Sequence, residues 1–105
     1  MVVYVLKYDI RPEKTEAFIK WATESAIPRI LKIPGLVEFC SYRPVTGAHQ
    51  IASTYFFKDA AAVAAWLAHS EFDTMTAELR SYAANVTGEL WNPSPIVPEP
   101  LRPKK

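Results

Sequence analysis

Ala65-Trp66-Leu67-Ala68-His69-Ser70-Glu71-Phe72 is the stretch from which the architecture of this chain can be worked out. It ends an alanine-rich run that begins at Ala60, and the very high helix propensity of that run predicts a helix after Asp59, whose carboxylate suits the first exposed amides. A break is expected near His69. Ser70 with Asp73 three residues on resembles a capping box and predicts a fresh helical start at Glu71. Phe72, Met75, Leu79 and Tyr82 then give the second piece its apolar stripe, so two short helices or one kinked helix follow.

Upstream, Leu36 to Arg43 and Gln50 to Phe57 read as strands joined by the turn-rich Pro44-Val45-Thr46-Gly47-Ala48, short enough to make them hairpin partners. Val2 to Asp9 alternates Val2, Tyr4, Leu6 and Tyr8 against Val3, Val5, Lys7 and Asp9, the pattern of a central strand buried on both faces for most of its length. Pro12 opens a helix at a position that needs no donor, and Phe18, Trp21, Ala22, Ala26, Ile30 and Ile33 recur at helical spacing along it. Pro28 removes a backbone bond within that helix and predicts a bend near Ser25, and Pro34-Gly35 stops it. Val86 to Trp91 returns as a fourth strand.

Strand, helix, strand, strand, helix, strand is the split βαβ order of an α+β, ferredoxin-like βαββαβ fold. It implies a four-stranded antiparallel sheet with both helices on one face. Such a sheet leaves its other face uncovered. The arrangement therefore predicts a homodimer through the open sheet face, a dimeric α+β barrel, with an apolar pocket between sheet and helices in each protomer.

Composition narrows the function. The 105 residues, half of them hydrophobic, suffice for one domain, taken as residues 1–92. Pro93, Pro95, Pro98, Pro100 and Pro103 mark residues 93–105 as a proline-rich tail, either solvated or laid as an arm across a partner through Ile96, Val97 and Leu101. Twelve basic against eleven acidic side chains leave a net charge of +1, without a basic cluster longer than Lys104-Lys105, so no nucleic-acid partner is expected. The lone Cys40 and an N-terminus unlike a secretion signal make the cytoplasm the expected location. The apolar run from Ala60 to Ala68 falls well short of the roughly 20 residues of a bilayer span, so no membrane insertion is expected. His49 and His69 lie too far apart for a zinc or iron motif, and no metal site is expected.

Gly35-Leu36-Val37-Glu38-Phe39, then Tyr42-Arg43, a hairpin, an alanine-rich helix and Trp66-Leu67-Ala68-His69-Ser70-Glu71-Phe72 together resemble the dimeric α+β barrel proteins of the antibiotic biosynthesis monooxygenase type, over about residues 2 to 92. The resemblance implies an oxidoreductase that oxygenates a small aromatic, quinol or phenolic substrate in an apolar pocket without any cofactor. It also leaves open a non-catalytic dimer that binds a small hydrophobic metabolite, and haem degradation as a third reading. In the haem-degrading branch a tryptophan matching Trp66 covers the porphyrin and a histidine ten residues later binds iron. Thr76 stands at that later place, and the asparagine of the first strand has no counterpart around Val5 to Lys7. In the aromatic-polyketide oxygenases an asparagine and a tryptophan end strand three, where Ser53 and Phe57 stand here.

Cofactor-free oxygenation needs an electron-rich phenolate or enolate, a dry cavity, and a base or polarising donor. His49, Tyr55 and His69 are the candidate catalytic groups. Trp66, Ser53, Phe57, Tyr8 and Phe72 are the candidate substrate-binding residues. Each has a plain structural alternative: His49 as a solvated hairpin residue, His69 as an exposed helix terminus, Trp66 as core, and the tyrosines as ordinary strand residues.

Overall fold

The computed structural model describes residues 1–104, so Lys105, the last residue of the expected tail, lies outside the described residues. Four strands, β1 (Val2–Ile10), β2 (Leu36–Tyr42), β3 (Ile51–Phe57) and β4 (Ala83–Trp91), form one antiparallel sheet in the order β2-β3-β1-β4. Between β1 and β2 run a 3-10 turn (Pro12–Lys14), α1 (Thr15–Trp21), a π-helical turn (Ala22–Ala26) and α2 (Ile27–Ile30), and between β3 and β4 come α3 (Ala60–Leu67) and α4 (Ser70–Arg80). This is the ferredoxin-like α+β fold expected from the element order. The helices cover one face of the sheet, and Val2, Tyr4, Leu6 and Tyr8 of β1 pack beneath them with Phe18, Ile30, Val63, Trp66 and Leu79.

The bend expected near Ser25 is a π-helical turn. Pro28 has no amide hydrogen to give the Glu24 carbonyl, and its ring would crowd that oxygen in a regular helix. Widening the turn over Ala22–Ala26 removes the conflict, and Ile27 closes it by donating to the Ala22 carbonyl five residues back. Gly35 then turns the chain into β2 with φ +81, a region that favours glycine, and a Cβ there would stand only 2.5 Å from that of Ala62.

Two boundaries differ from the sequence pattern. Asp59 caps α3 as expected, with its carboxylate accepting from the Ala62 amide at 2.8 Å. The expected Ser70–Asp73 capping box does not start α4, because the cap is His69, whose Nδ1 accepts from the Glu71 amide at 2.9 Å, and the helix begins at Ser70. β4 begins at Ala83, three residues before the expected Val86. Tertiary pairing overrides the weak strand propensity of Ala83-Ala84-Asn85. Ala84 and Ala83 pair with Asp9 and Ile10 after a register shift beyond Lys7. Asn85 takes up that shift with φ 55 and donates through its side chain to Asp9 Oδ2 at 2.8 Å.

The opposite sheet face carries Val3, Val5, Thr54, Phe56 and Trp91, with the Lys7–Glu89 ion pair at 2.8 Å among them. Val5 and Thr54 are buried at its centre, whereas Trp91 at its rim is 48% exposed. Beyond Trp91 the described chain forms no helix or strand, and Ile96 and Leu101 lie exposed.

Candidate functional site

Sheet register places two rows of side chains under the helices. Across one row Ser41 faces Ser53 and Ser53 faces Leu6, and across the next Phe39 faces Tyr55 and Tyr55 faces Tyr4. These rows form the floor of a cavity of about 230 Å³. Its roof comes from Trp21, Ala22, Ala26 and Ile27 of the first helical region, Trp66 of α3, and Phe72, Met75 and Thr76 of α4. The π-helical turn thus borders the chamber with alanines, whose short side chains leave it open. Ser41 and Ile27 reach solvent and mark its mouth between β2 and α2.

Polar groups in this chamber are few. The Ser41 and Ser53 hydroxyls hydrogen-bond at 2.9 Å, and Ser53 is 2% exposed. Thr76 turns its hydroxyl away to donate to the Phe72 carbonyl at 2.8 Å. Tyr4, Tyr8 and Tyr55 supply three phenols. Burial pushes the Tyr55 phenol far above its ordinary range, and the neighbouring Tyr8 and Tyr4 push it further. Burial likewise raises Tyr8, with the Ser53 hydroxyl beside it pulling it partly back. These phenols therefore remain protonated at physiological pH and act as hydrogen-bond donors, not as bases.

Of the residues singled out in the sequence, Tyr8, Ser53, Tyr55, Trp66 and Phe72 converge on the chamber. Trp66 and Phe72 meet edge to face with ring centroids 5.7 Å apart, and Phe72 meets Tyr4 in the same way at 5.9 Å. His49, His69 and Phe57 are not among the chamber's lining residues. His49 lies at the β3 end of the hairpin loop, where its Nε2 donates to the Asn85 carbonyl at 3.1 Å. His69 is exposed, capping α4, with its ring 6.1 Å from that of Trp66 and its Nδ1 already engaged. Phe57 is fully buried in the core, beside Val2 on the sheet. Among the described residues no carboxylate, imidazole or amine lines the chamber.

Most of the lining, Tyr4, Ser41 and Met75 among it, does not stand out in the sequence as a site. Ser41 becomes meaningful only once the hairpin register sets it opposite Ser53. Met75 reads equally well as core, because helical spacing does not tell a cavity wall from a packed interior.

A clamp holds the roof. Arg29 of α2 contacts Glu78 of α4 through Nη1 to Oε1 at 2.8 Å and Nη2 to Oε2 at 3.0 Å, and its Nε donates to Glu71 at 2.7 Å. Trp21 Nε1 donates to the same Glu78 Oε1 at 2.8 Å. Donation from Arg29 first, then Trp21, lowers the Glu78 carboxyl to about 2.

The family model described as antibiotic biosynthesis monooxygenase matches residues 1–78. No curated protein matches the chain. Among solved structures, an assigned antibiotic biosynthesis monooxygenase from Deinococcus radiodurans superposes with a TM-score of 0.76 at 9% identity, with all of both chains covered. SnoaB of Streptomyces nogalater, a cofactor-independent oxygenase, gives 0.65 at 19% identity over 87% of this chain and 90% of its own. A dimeric ferredoxin-like protein of unknown function from Jannaschia gives 0.68 at 16% identity over 87% and 97%. At these identities the likeness is one of fold. No helix among the described residues is long and apolar enough to cross a membrane.

Proposed function

The chain belongs to the antibiotic biosynthesis monooxygenase family, and from that premise we propose that it is a cofactor-independent monooxygenase acting on a small phenol or quinol held under its helices. The observation that carries this reading is the chamber, an apolar space of about 230 Å³ whose polar points are the Tyr4, Tyr8, Tyr55, Ser41 and Ser53 hydroxyls, with Trp66 and Phe72 among its aromatic walls. Its volume lies below the roughly 300 Å³ at which pockets for drug-sized ligands begin, which suits a small ring system.

The chemistry asked of the protein is modest. An ionised phenol gives one electron to dioxygen, and the resulting radical pair combines by forming a C–O bond at a ring carbon. The O–O bond of that peroxide then breaks. One oxygen stays as a quinone carbonyl, and the other leaves as water with the ring hydrogen and the phenolic proton. Donation from Tyr55, Tyr8 and Ser53 to the substrate oxygen favours its anionic form, and the apolar walls keep competing water out.

One observation favours a second reading. The chamber lining holds donors but no base, an arrangement equally suited to a non-catalytic dimer that stores or carries a small hydrophobic metabolite. Dioxygen uptake with a panel of hydroquinones and anthrones, using isotopically labelled dioxygen, separates the two. One labelled atom in the product, lost with Tyr55→Phe, supports oxygenation. Thermal stabilisation by the same compounds without dioxygen uptake leaves the binding protein.

The working unit in this reading is a homodimer in the cytoplasm, joined through the open face. Phe56 and Val3, half-buried there, and the exposed Trp91 support such a contact. The tail with its exposed Ile96 and Leu101 would extend it as an arm.

A further inference from the structure

Behind the chamber lies a second cavity of about 290 Å³, between α4 and β4. The two spaces share Tyr4 and Leu6 of β1 and Phe72 and Thr76 of α4, so one layer of side chains divides them. The chamber spans β2, β3 and β1, and the groove continues from β1 to β4. Together they cross the whole sheet. Phe72 in the dividing wall is only partly buried, and a change of its rotamer would join the two spaces.

The groove differs from the chamber in its chemistry. Arg80, at the end of α4, lines it and makes no ion pair among the described residues. Opposite stands Gly88, where a Cβ would overlap the Tyr4 hydroxyl. The missing side chain at Gly88 is therefore what lets the Tyr4 phenol lie at the groove wall. Arg80 is close enough for its charge to offset part of the rise that burial imposes on Tyr4. Asp73, the other charged group lining the groove, sits two helical turns before Arg80, about 10 Å along the axis. An anion is thus drawn to the Arg80 end, where a phenolic O–H and a guanidinium are both at hand.

We propose that this groove is an anion subsite, with the Tyr4 hydroxyl and the Arg80 guanidinium as its donors, and that the substrate is a phenol or quinol bearing a carboxylate. The inference rests on the chamber being the ring site, as argued above. The ring lies in the chamber against Trp66, and the carboxylate passes Tyr4 to meet Arg80.

The test compares naphthol with hydroxynaphthoic acid, titrated calorimetrically into the full chain, its Arg80→Gln and Arg80→Lys variants and Tyr4→Phe. The acid is expected to bind roughly tenfold more tightly than naphthol to the native chain, as one charge-assisted contact gives. That preference disappears in Arg80→Gln, survives in part in Arg80→Lys, and is reduced in Tyr4→Phe. Arg80 is exposed, so its replacement leaves the core intact. Naphthol binding without preference for the acid, or a preference unchanged in Arg80→Gln, overturns the subsite alone. Failure of both compounds to bind overturns the chamber reading with it.

Discussion

Arg29 and Glu78 meet side-on, guanidinium edge to carboxylate edge, with both contacts within 3.0 Å, and so tie α2 to α4 above the chamber. A carboxyl lowered to about 2 from an ordinary 4.5 binds its proton more readily in the unfolded chain than in the folded one. The clamp therefore contributes its full stabilisation above about pH 4.5 and loses it as pH falls towards 2. Glu78→Gln is expected to lower stability at neutral pH by about 1 kcal/mol, a modest figure because solvent screens a pair that is a third exposed. Thermal unfolding scans should show the native and variant curves converging in acid, and a difference that persists unchanged at pH 2 contradicts the assignment.

Gly35→Ala should destabilise the fold by about 2 kcal/mol or more, since the new methyl meets both an unfavourable φ of +81 and the Ala62 side chain at 2.5 Å. Urea unfolding measures the loss. Gly47→Ala is the control, because its φ of +96 carries the same backbone penalty with nothing within 4 Å. The difference between the two isolates the contact with α3.

Tyr55→Phe keeps the ring that packs 5.0 Å from Phe39 and removes only the hydroxyl. Stability should change little, whereas turnover of a hydroquinone should fall roughly a hundredfold or more, as on losing one oxyanion-hole donor. Steady-state dioxygen uptake provides the readout. A variant with native rates shows that the phenol plays no part.

His69→Ala is expected to cost about 1 kcal/mol through loss of the cap on α4, and His69→Asp should restore it, since aspartate is a better acceptor for the same amide. Turnover should be retained in both. A collapse of activity at native stability would put the imidazole back among the reacting groups.

Sedimentation at micromolar concentration should give a particle of twice the 11.8 kDa chain mass. Phe56→Asp, placing a charge on the open face, should yield the single chain instead. A native protein that sediments alone removes the dimer.

Much of the fold could be read because its signals are local. Pro12, Pro28 and Pro34-Gly35 punctuate the first helical region, Asp59 caps α3, and period-two alternation marks β1. Where partners distant in sequence decide, reading failed. Ala83-Ala84-Asn85 joins β4 because Asp9 and Ile10 hold it. The α4 cap is missed for a different, local reason: the chain leaves α3 extended at His69, with ψ 140, which puts the imidazole where a capping hydroxyl is expected.

The site divides in the same way. Tyr8, Ser53, Tyr55, Trp66 and Phe72 can be proposed from residue type, strand parity and the family resemblance, and they do converge on the chamber. Imidazoles suit the chemistry, which makes His49 and His69 natural candidates, yet whether a side chain enters a cavity depends on register and on helix rotation. The Arg29–Glu78 clamp spans 49 residues and leaves no trace in spacing.

Taken alone, the amino-acid order determined the elements and their sequence, since propensity, caps and breakers act within a few neighbouring residues. Only the folded chain decided that Ser41 would face Ser53, that Gly88 would make room for Tyr4, and that the histidines would lie outside the chamber. Those relationships arise from packing between segments far apart in the chain, where geometry and excluded volume choose among side chains that composition treats alike.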